Sequence, residues 1–233
     1  MKRIVLRSGL LIVVAIVQSL AATTAFSDQL RFHAPMGGQL TVPTVSLKEA
    51  RFLSTLRQQY DFSCGSAAVA TLLTHHYDQT VGESKVFEVM YEHGNQEKIR
   101  REGFSMLDMK RYLDHLGYRA EGVEASLDQL ASASVPAIAL IQENGYAHFV
   151  VIKGVRDGKV LLGDPALGTR VMKRQAFEKI WVNSILLVAR NRVGMARFND
   201  ESDWRVLPNA PIARGLDRNM ADVQLLRRGP WDY

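Results

Sequence analysis

The sequence predicts an α+β fold in which N-terminal helices pack on an antiparallel sheet built from the second half of the chain. Three observations carry that expectation. The small-residue segment CGSAAVATLLTHHY opens at Cys64 directly behind a serine, as a buried helix would. Ser105 and Asp108 stand at capping-box spacing ahead of a second helical stretch. Beyond Pro136 the pattern changes to short apolar runs separated by turn residues, which is the signature of buried strands.

The chain begins with the cationic MKRIVLR and the apolar run Gly9 to Val17, long enough for a signal peptide and too short to cross a bilayer. Ala25-Phe26-Ser27 places small residues where a signal peptidase needs them. Residues 1–27 are therefore expected to be a signal peptide, with the mature chain exported to the periplasm. Residues 28–44 read as a turn-rich leader with a short strand over 39–45, and residues 45–190 as the main domain. In that domain Ser63 is expected to cap a helix from Cys64 to Tyr77, and a second helix is expected from Met106 to Leu116, ended by Gly117. AIALI after Pro136, AHFVVIK at Ala147–Lys153, KVLLG at Lys159–Gly163 and SILLVA at Ser184–Ala189 read as strands, interrupted by a helix over Lys173–Trp181. Residues 191–233, rich in Arg, Asp, Asn and Pro, read as an appended C-terminal arm with a short helix near Met220–Leu226.

At 233 residues and 47% apolar composition the chain can bury one core of about 150 residues. The net charge of +5 falls by three to +2 without residues 1–27, which hold Lys2, Arg3 and Arg7 and no acid. No basic stripe interleaved with aromatics appears, so no nucleic-acid partner is expected.

The single cysteine excludes an intrachain disulfide, and an exported protein that keeps one free thiol needs a reason for it. Cys64 has one: a helix N-terminus supplies unpaired N–H groups and a partial positive charge that favour a thiolate nucleophile. Its own N–H can donate to an oxyanion, and Gly65 is expected to let the backbone approach a substrate. A second oxyanion donor is expected from a carboxamide upstream, with Gln58 and Gln59 as candidates. Of the six histidines only His148 heads an apolar strand, so it is the candidate base. His75 and His76 point about 100° apart on a helix and read as a solvated helix end; no histidine pair has metal-ligand spacing, and neither metal nor cofactor is expected. The strand after His148 returns through a hairpin to Asp164-Pro165. For Asp164 to share a face with His148 and orient it, the hairpin loop must hold an odd number of residues; a two-residue Asp157-Gly158 turn would put the pair on opposite faces.

These residues in this order resemble the bacteriocin-processing cysteine peptidases, family thirty-nine, which cut leader peptides after a double glycine and are papain-like in fold. The resemblance rests on Gln58, on QYDFSCGSAA around Cys64, on AHFVVI around His148 and on LLGDPALG around Asp164, and covers roughly Val45 to Arg190. It implies a papain-like cysteine peptidase with Cys64 as nucleophile, His148 as base, Asp164 as its orienting residue and Gln58 as oxyanion donor. Ser63 departs from the acidic residue that transporter-fused members carry before the cysteine. GVRDGK at Gly154 has the wrong spacing for a phosphate loop. The chain resembles the stand-alone exported branch, and its layout is similar to that of the peptidase of functional-amyloid (Fap) export systems. That similarity implies a peptide or protein substrate, with Gly-rich or amyloid-forming exported proteins as the candidate class and contact with an export machinery through the arm. Two alternatives stand beside proteolysis: a peptidase-fold chaperone that holds such segments without cutting them, and a cell-wall amidase.

Overall fold

The computed structural model describes residues 29–33, 39–43 and 46–205. The expected signal peptide and the helix expected near Met220–Leu226 lie outside the described residues. Two units are distinguished, one ending at Ser46 and one beginning at Leu47. In the first, β1 (Gln29–His33) pairs antiparallel with β2 (Gln39–Pro43), Gln29 opposite Pro43 and His33 opposite Gln39. The sequence predicted only the second of these strands.

The second unit opens with the short α1 (Leu47–Ala50), and α2 (Cys64–Thr71) follows. Three more helices, α3 (Glu83–His93), α4 (Gln96–Glu102) and α5 (Met106–His115), precede β3 (Ala120–Glu124). After α6 (Leu127–Ala133) come β4 (Ala137–Glu143), β5 (Tyr146–Arg156), β6 (Lys159–Asp164) and β7 (Gly168–Lys173). The unit continues through α7 (Arg174–Ile180) and β8 (Trp181–Ala189) to a 3₁₀ segment at Arg190–Met195 and α8 (Glu201–Trp204). Strands β3 to β8 form one six-stranded antiparallel sheet in the order β3-β8-β4-β5-β6-β7. Helices come before the sheet and pack on it, as predicted.

Side-chain alternation splits the core between the two faces of the sheet. Phe149 and Val151 of β5, with Ile138 and Leu187, pack on α2, α3 and α5; Val150 and Ile152, with Ala139 and Leu186, pack on α6 and α7. Every residue of α2 is buried, and its small side chains let it lie close against the sheet. The capping box at α5 forms as predicted: Ser105 Oγ accepts from Asp108 N–H, and Asp108 Oδ2 accepts from Ser105 N–H at 2.9 Å.

Four expectations are corrected. Ser63 precedes α2 but does not cap it; its Oγ accepts from the N–H groups of Gln59 (3.2 Å) and Tyr60 (3.1 Å), which leaves the first amides of α2 free of a side-chain cap. The helix does not run on in α form to Tyr77 but widens into a π-turn over Leu72–His76. That widening turns His76 inward, so the expected solvated helix end is wrong for this residue: it is 1% exposed, and its Nδ1 donates to Arg197 O at 2.6 Å. Finally, the chain from Ala196 to Arg205 is not a separate arm. Arg197 N–H donates to His76 O and Asn199 N–H to Lys153 O, both at 2.9 Å, so the domain extends to the end of α8.

The β5–β6 hairpin brings a fifth correction. Arg156 pairs with Lys159, so the loop is the two-residue Asp157-Gly158 turn, both residues at positive φ (51° and 66°), and not the odd-length loop that the sequence argument required. The register then slips by one residue between Ile152 and Gly154, where Lys153 is the extra residue of a β-bulge. Beyond the bulge Ile152 pairs with Leu162 and Val151 with Gly163, and this shifted register returns His148 and Asp164 to the same face.

Candidate active site

Cys64 begins α2 and is 6% exposed. Strand β5 pairs with β6 only as far as Val151, so the Phe149 amide lies beyond that ladder; Phe149 shares a core cluster with Cys64, and its N–H lies near enough to the thiol to lower its pKa. The thiol is thus held beside the residue that follows His148. Burial pushes the Cys64 pKa above the ordinary thiol value; donation from the N–H groups of Phe149, Gly65 and Cys64 itself opposes that rise, and the charge of Asp164 adds to it. A thiol so placed keeps its proton until a base takes it.

His148 is 8% exposed and turns Nε2 toward Asp164 Oδ2 at 3.4 Å, longer than a formed hydrogen bond and of the kind that tightens when substrate fills a site. Asp164 is fully buried at the end of β6. Its Oδ1 accepts from the N–H groups of Ala166 (2.9 Å) and Leu167 (3.2 Å), a turn closed by Pro165. Burial raises the Asp164 carboxyl, but the neighbouring imidazole, the Arg170 cation and the Ala166 amide together outweigh burial and hold it below the usual carboxylate range.

Arg170 is the residue that sequence reasoning missed. Its Nε lies 3.0 Å from Asp164 Oδ2, the oxygen that faces His148, and its guanidinium also reaches Glu143 Oε2 at 2.9 Å. The β6–β7 hairpin puts it there, since Leu162 pairs with Arg170 and Asp164 with Gly168, making Arg170 the diagonal neighbour of Asp164 on one face. Tyr146 was missed as well. Its ring stands edge-on to His148 with centroids 5.8 Å apart, and its hydroxyl donates to Asp61 O at 2.7 Å, tying the β4–β5 turn to the loop that leads into Cys64.

The two glutamines take different partners. Gln58 is half-buried, its N–H donates to Pro165 O at 3.1 Å just past Asp164, and its Nε2 donates to Tyr60 O at 3.0 Å. Gln59 is exposed and its Nε2 donates to Ser84 Oγ on α3 at 2.7 Å. Gly65 has a packing reason of its own. A Cβ there would meet Phe104 Cβ at 2.9 Å, so the missing side chain makes room for core packing.

An α+β domain with a buried thiol opening a helix, and an imidazole and carboxylate on adjacent strands beside it, defines the class of papain-like cysteine peptidases. The chain belongs to the Peptidase C39 family, whose sequence profile matches residues 53–192, and it is a cysteine peptidase. It is 38% identical over 215 residues to the "Probable functional amyloid protease FapD" of Pseudomonas fluorescens, covering 90% of this chain and 92% of that one. It is 39% identical over 211 residues to the protein of the same name in Pseudomonas aeruginosa, covering 88% and 91%. Among solved structures it is similar in fold to the peptidase domain of Streptococcus ComA, a bifunctional ABC transporter of a quorum-sensing pathway. That likeness has a TM-score of 0.50 at 18% identity and spans 59% of this chain and 98% of that domain.

Proposed function

We propose that Cys64, His148 and Asp164 are the catalytic triad of an exported peptidase that cleaves a peptide bond in an exported protein, with amyloid-forming subunits as the substrate class. The buried Cys64 thiol, which shares a core cluster with Phe149 directly after His148, carries this reading together with Nε2 of that imidazole facing Asp164. The orientation leaves Nδ1 of His148 as the nitrogen available to the thiol. In the reaction, Cys64 Sγ attacks the scissile carbonyl carbon as its proton passes to His148, and Asp164 stabilises the imidazolium. His148 then gives that proton to the leaving amine, the carbon–nitrogen bond breaks, and water, deprotonated by His148, releases the acyl group from sulfur. The free amides at the start of α2 suit the oxyanion, with the Gln58 carboxamide as second donor. The names of the two Pseudomonas relatives support the amyloid substrate, and the apolar run behind MKRIVLR supports export.

The test compares mature protein termini in the exported proteome of cells carrying the wild-type chain, Cys64→Ala or His148→Ala. Loss of the same processed termini in both variants is the expected result. Native processing by folded Cys64→Ala protein would exclude the mechanism, and lost termini on proteins that form no amyloid would exclude the substrate class alone.

A further inference from the structure

The β-bulge at Lys153 gives His148 and Asp164 a common face, and a segment outside the family-matched residues 53–192 is built onto it. The extra residue of a bulge loses its ladder partners. Here the Lys153 carbonyl accepts from Asn199 N–H at 2.9 Å, and Asn199 Nδ2 donates to Val155 O at 3.2 Å on the other side of the slip. Gly154 makes room for this contact, since a Cβ there would come within 2.3 Å of Asn199 Oδ1. The Lys153 side chain is fully buried, and its ammonium has three acceptors: Ser54 O and Ser54 Oγ at 2.7 Å each, and Asp203 Oδ2 at 2.9 Å. Asp203, at the end of the docked segment, is itself 7% exposed. A buried ammonium with every donor matched fixes the lysine, and with it the strand, in one position.

We propose that residues 196–205 are a register clamp for the active site: docked on the Lys153 bulge through Asn199 and Asp203, they hold β5 in the phase that turns His148 toward Asp164. Lys153, Asn199 and Asp203 are then positioning residues of the peptidase, none of them touching substrate. The parity of the hairpin gives the reason. Without the extra residue the Asp157-Gly158 turn would carry the Arg156–Lys159 register along the whole strand and put His148 and Asp164 on opposite faces. The clamp supplies the hydrogen bonds and the counter-charge that the bulge leaves open, and so favours the shifted register over the regular one.

This inference rests on the triad reading, and the test separates the two. Cys64 is the only cysteine, so alkylation of the full chain by iodoacetamide reports on that thiol alone. The rate is followed against pH, with circular dichroism to check folding. His148→Ala is expected to slow alkylation at neutral pH, and Asp203→Asn to slow it by about tenfold or more, since a displacement of about 1 Å in a catalytic group costs up to about a hundredfold. Asp203→Glu, which restores the charge, should recover most of the rate. Val86→Ala, a cavity in α3 away from the bulge, controls for general destabilisation and should alkylate at the wild-type rate. Should Asp203→Asn fail to fold, Ser54→Ala decides, because it removes one of the three acceptors of Lys153, and a measurable slowing is expected. A wild-type rate and pH profile in whichever of these two variants is folded overturns the clamp. A wild-type rate in His148→Ala overturns the triad, and the clamp with it.

Discussion

His76 should make the domain acid-labile well above the range in which carboxylates titrate. It is buried against the segment that holds Arg197, with Nδ1 donating to Arg197 O and with Nε2 lacking any partner among the described residues. Its pKa is lowered from the ordinary 6.5 to about 4: burial is the largest cause, the Lys153 cation and His75 act in the same direction, and the hydrogen bond to Arg197 and the Asp203 charge oppose them in part. The unfolded chain therefore binds a proton at this residue between those two values while the folded chain does not, so stability is complete above about pH 6.5 and falls as the pH drops. Between about pH 7 and about pH 5 the loss is about 2 kcal/mol, growing to about 3 kcal/mol once the pH passes below about 4. For a domain of this size a loss of about 2 kcal/mol lowers Tm by about 4–8 °C. The assay is urea unfolding of the wild type and of His76→Asn, whose amide can still donate to Arg197 O but cannot titrate. The expected outcome is a pH slope smaller by about 2 kcal/mol in the variant across that interval, whatever its absolute stability. Equal slopes in the two proteins would refute the reasoning, as would a His76 imidazole titrating near 6.5 by NMR.

Three further outcomes follow from the site. Gln58→Ala should lower kcat by about 10² to 10³ with little change in KM, and Gln59→Ala should cost less than about 1 kcal/mol; the reverse order in steady-state kinetics would move the oxyanion donor to Gln59. Arg170→Met leaves the buried Asp164 without its cation and should cost about 3 kcal/mol in urea unfolding, while the half-exposed Glu143→Gln costs under about 1 kcal/mol; equal small losses would show that Arg170 is not what holds Asp164 charged. Asp164→Asn should reduce kcat by about tenfold to a hundredfold, or about 1.4 to 2.8 kcal/mol of barrier. Because the Asp164 pKa is depressed, its contribution to stability is present above the ordinary carboxylate range and lost only as the pH falls through its folded value, so Asp164→Asn should flatten the stability curve below about pH 4 and leave the higher interval to His76.

The parts of the fold that could be read from the sequence are those with one dominant local signal. The small-residue run behind Cys64, the Ser105–Asp108 box and the apolar runs of β4, β5, β6 and β8 needed no tertiary context. Strand β3 (AEGVE) and strand β7 (GTRVMK) were missed because they carry glycine and charge and bury few side chains. Arg170 went unseen with β7, since its position relative to Asp164 exists only once that hairpin is drawn. His76 was misread for a related reason: the direction of its side chain depends on the π-turn and on residues 196–199, more than a hundred positions later in the chain.

The hairpin between His148 and Asp164 shows why site residues can be read from a sequence when the geometry that unites them cannot. Parity arguments count residues around a turn, and here the count demanded an odd-length loop; Asp-Gly instead forms the tight turn that its residue types favour, and the two residues share a face all the same. What parity cannot count is a bulge. Its support comes from outside the hairpin, where Ser54 and Asp203 match the Lys153 ammonium and Asn199 matches the Lys153 carbonyl. Little in AHFVVIKGVRDGKVLLGD marks Lys153 as unpaired, because a lysine in a strand ordinarily points to solvent. A single lysine inside an otherwise apolar strand, with a glycine directly after it, is the one local signal that was available. Such a lysine must find buried partners or leave the ladder, and here it does both.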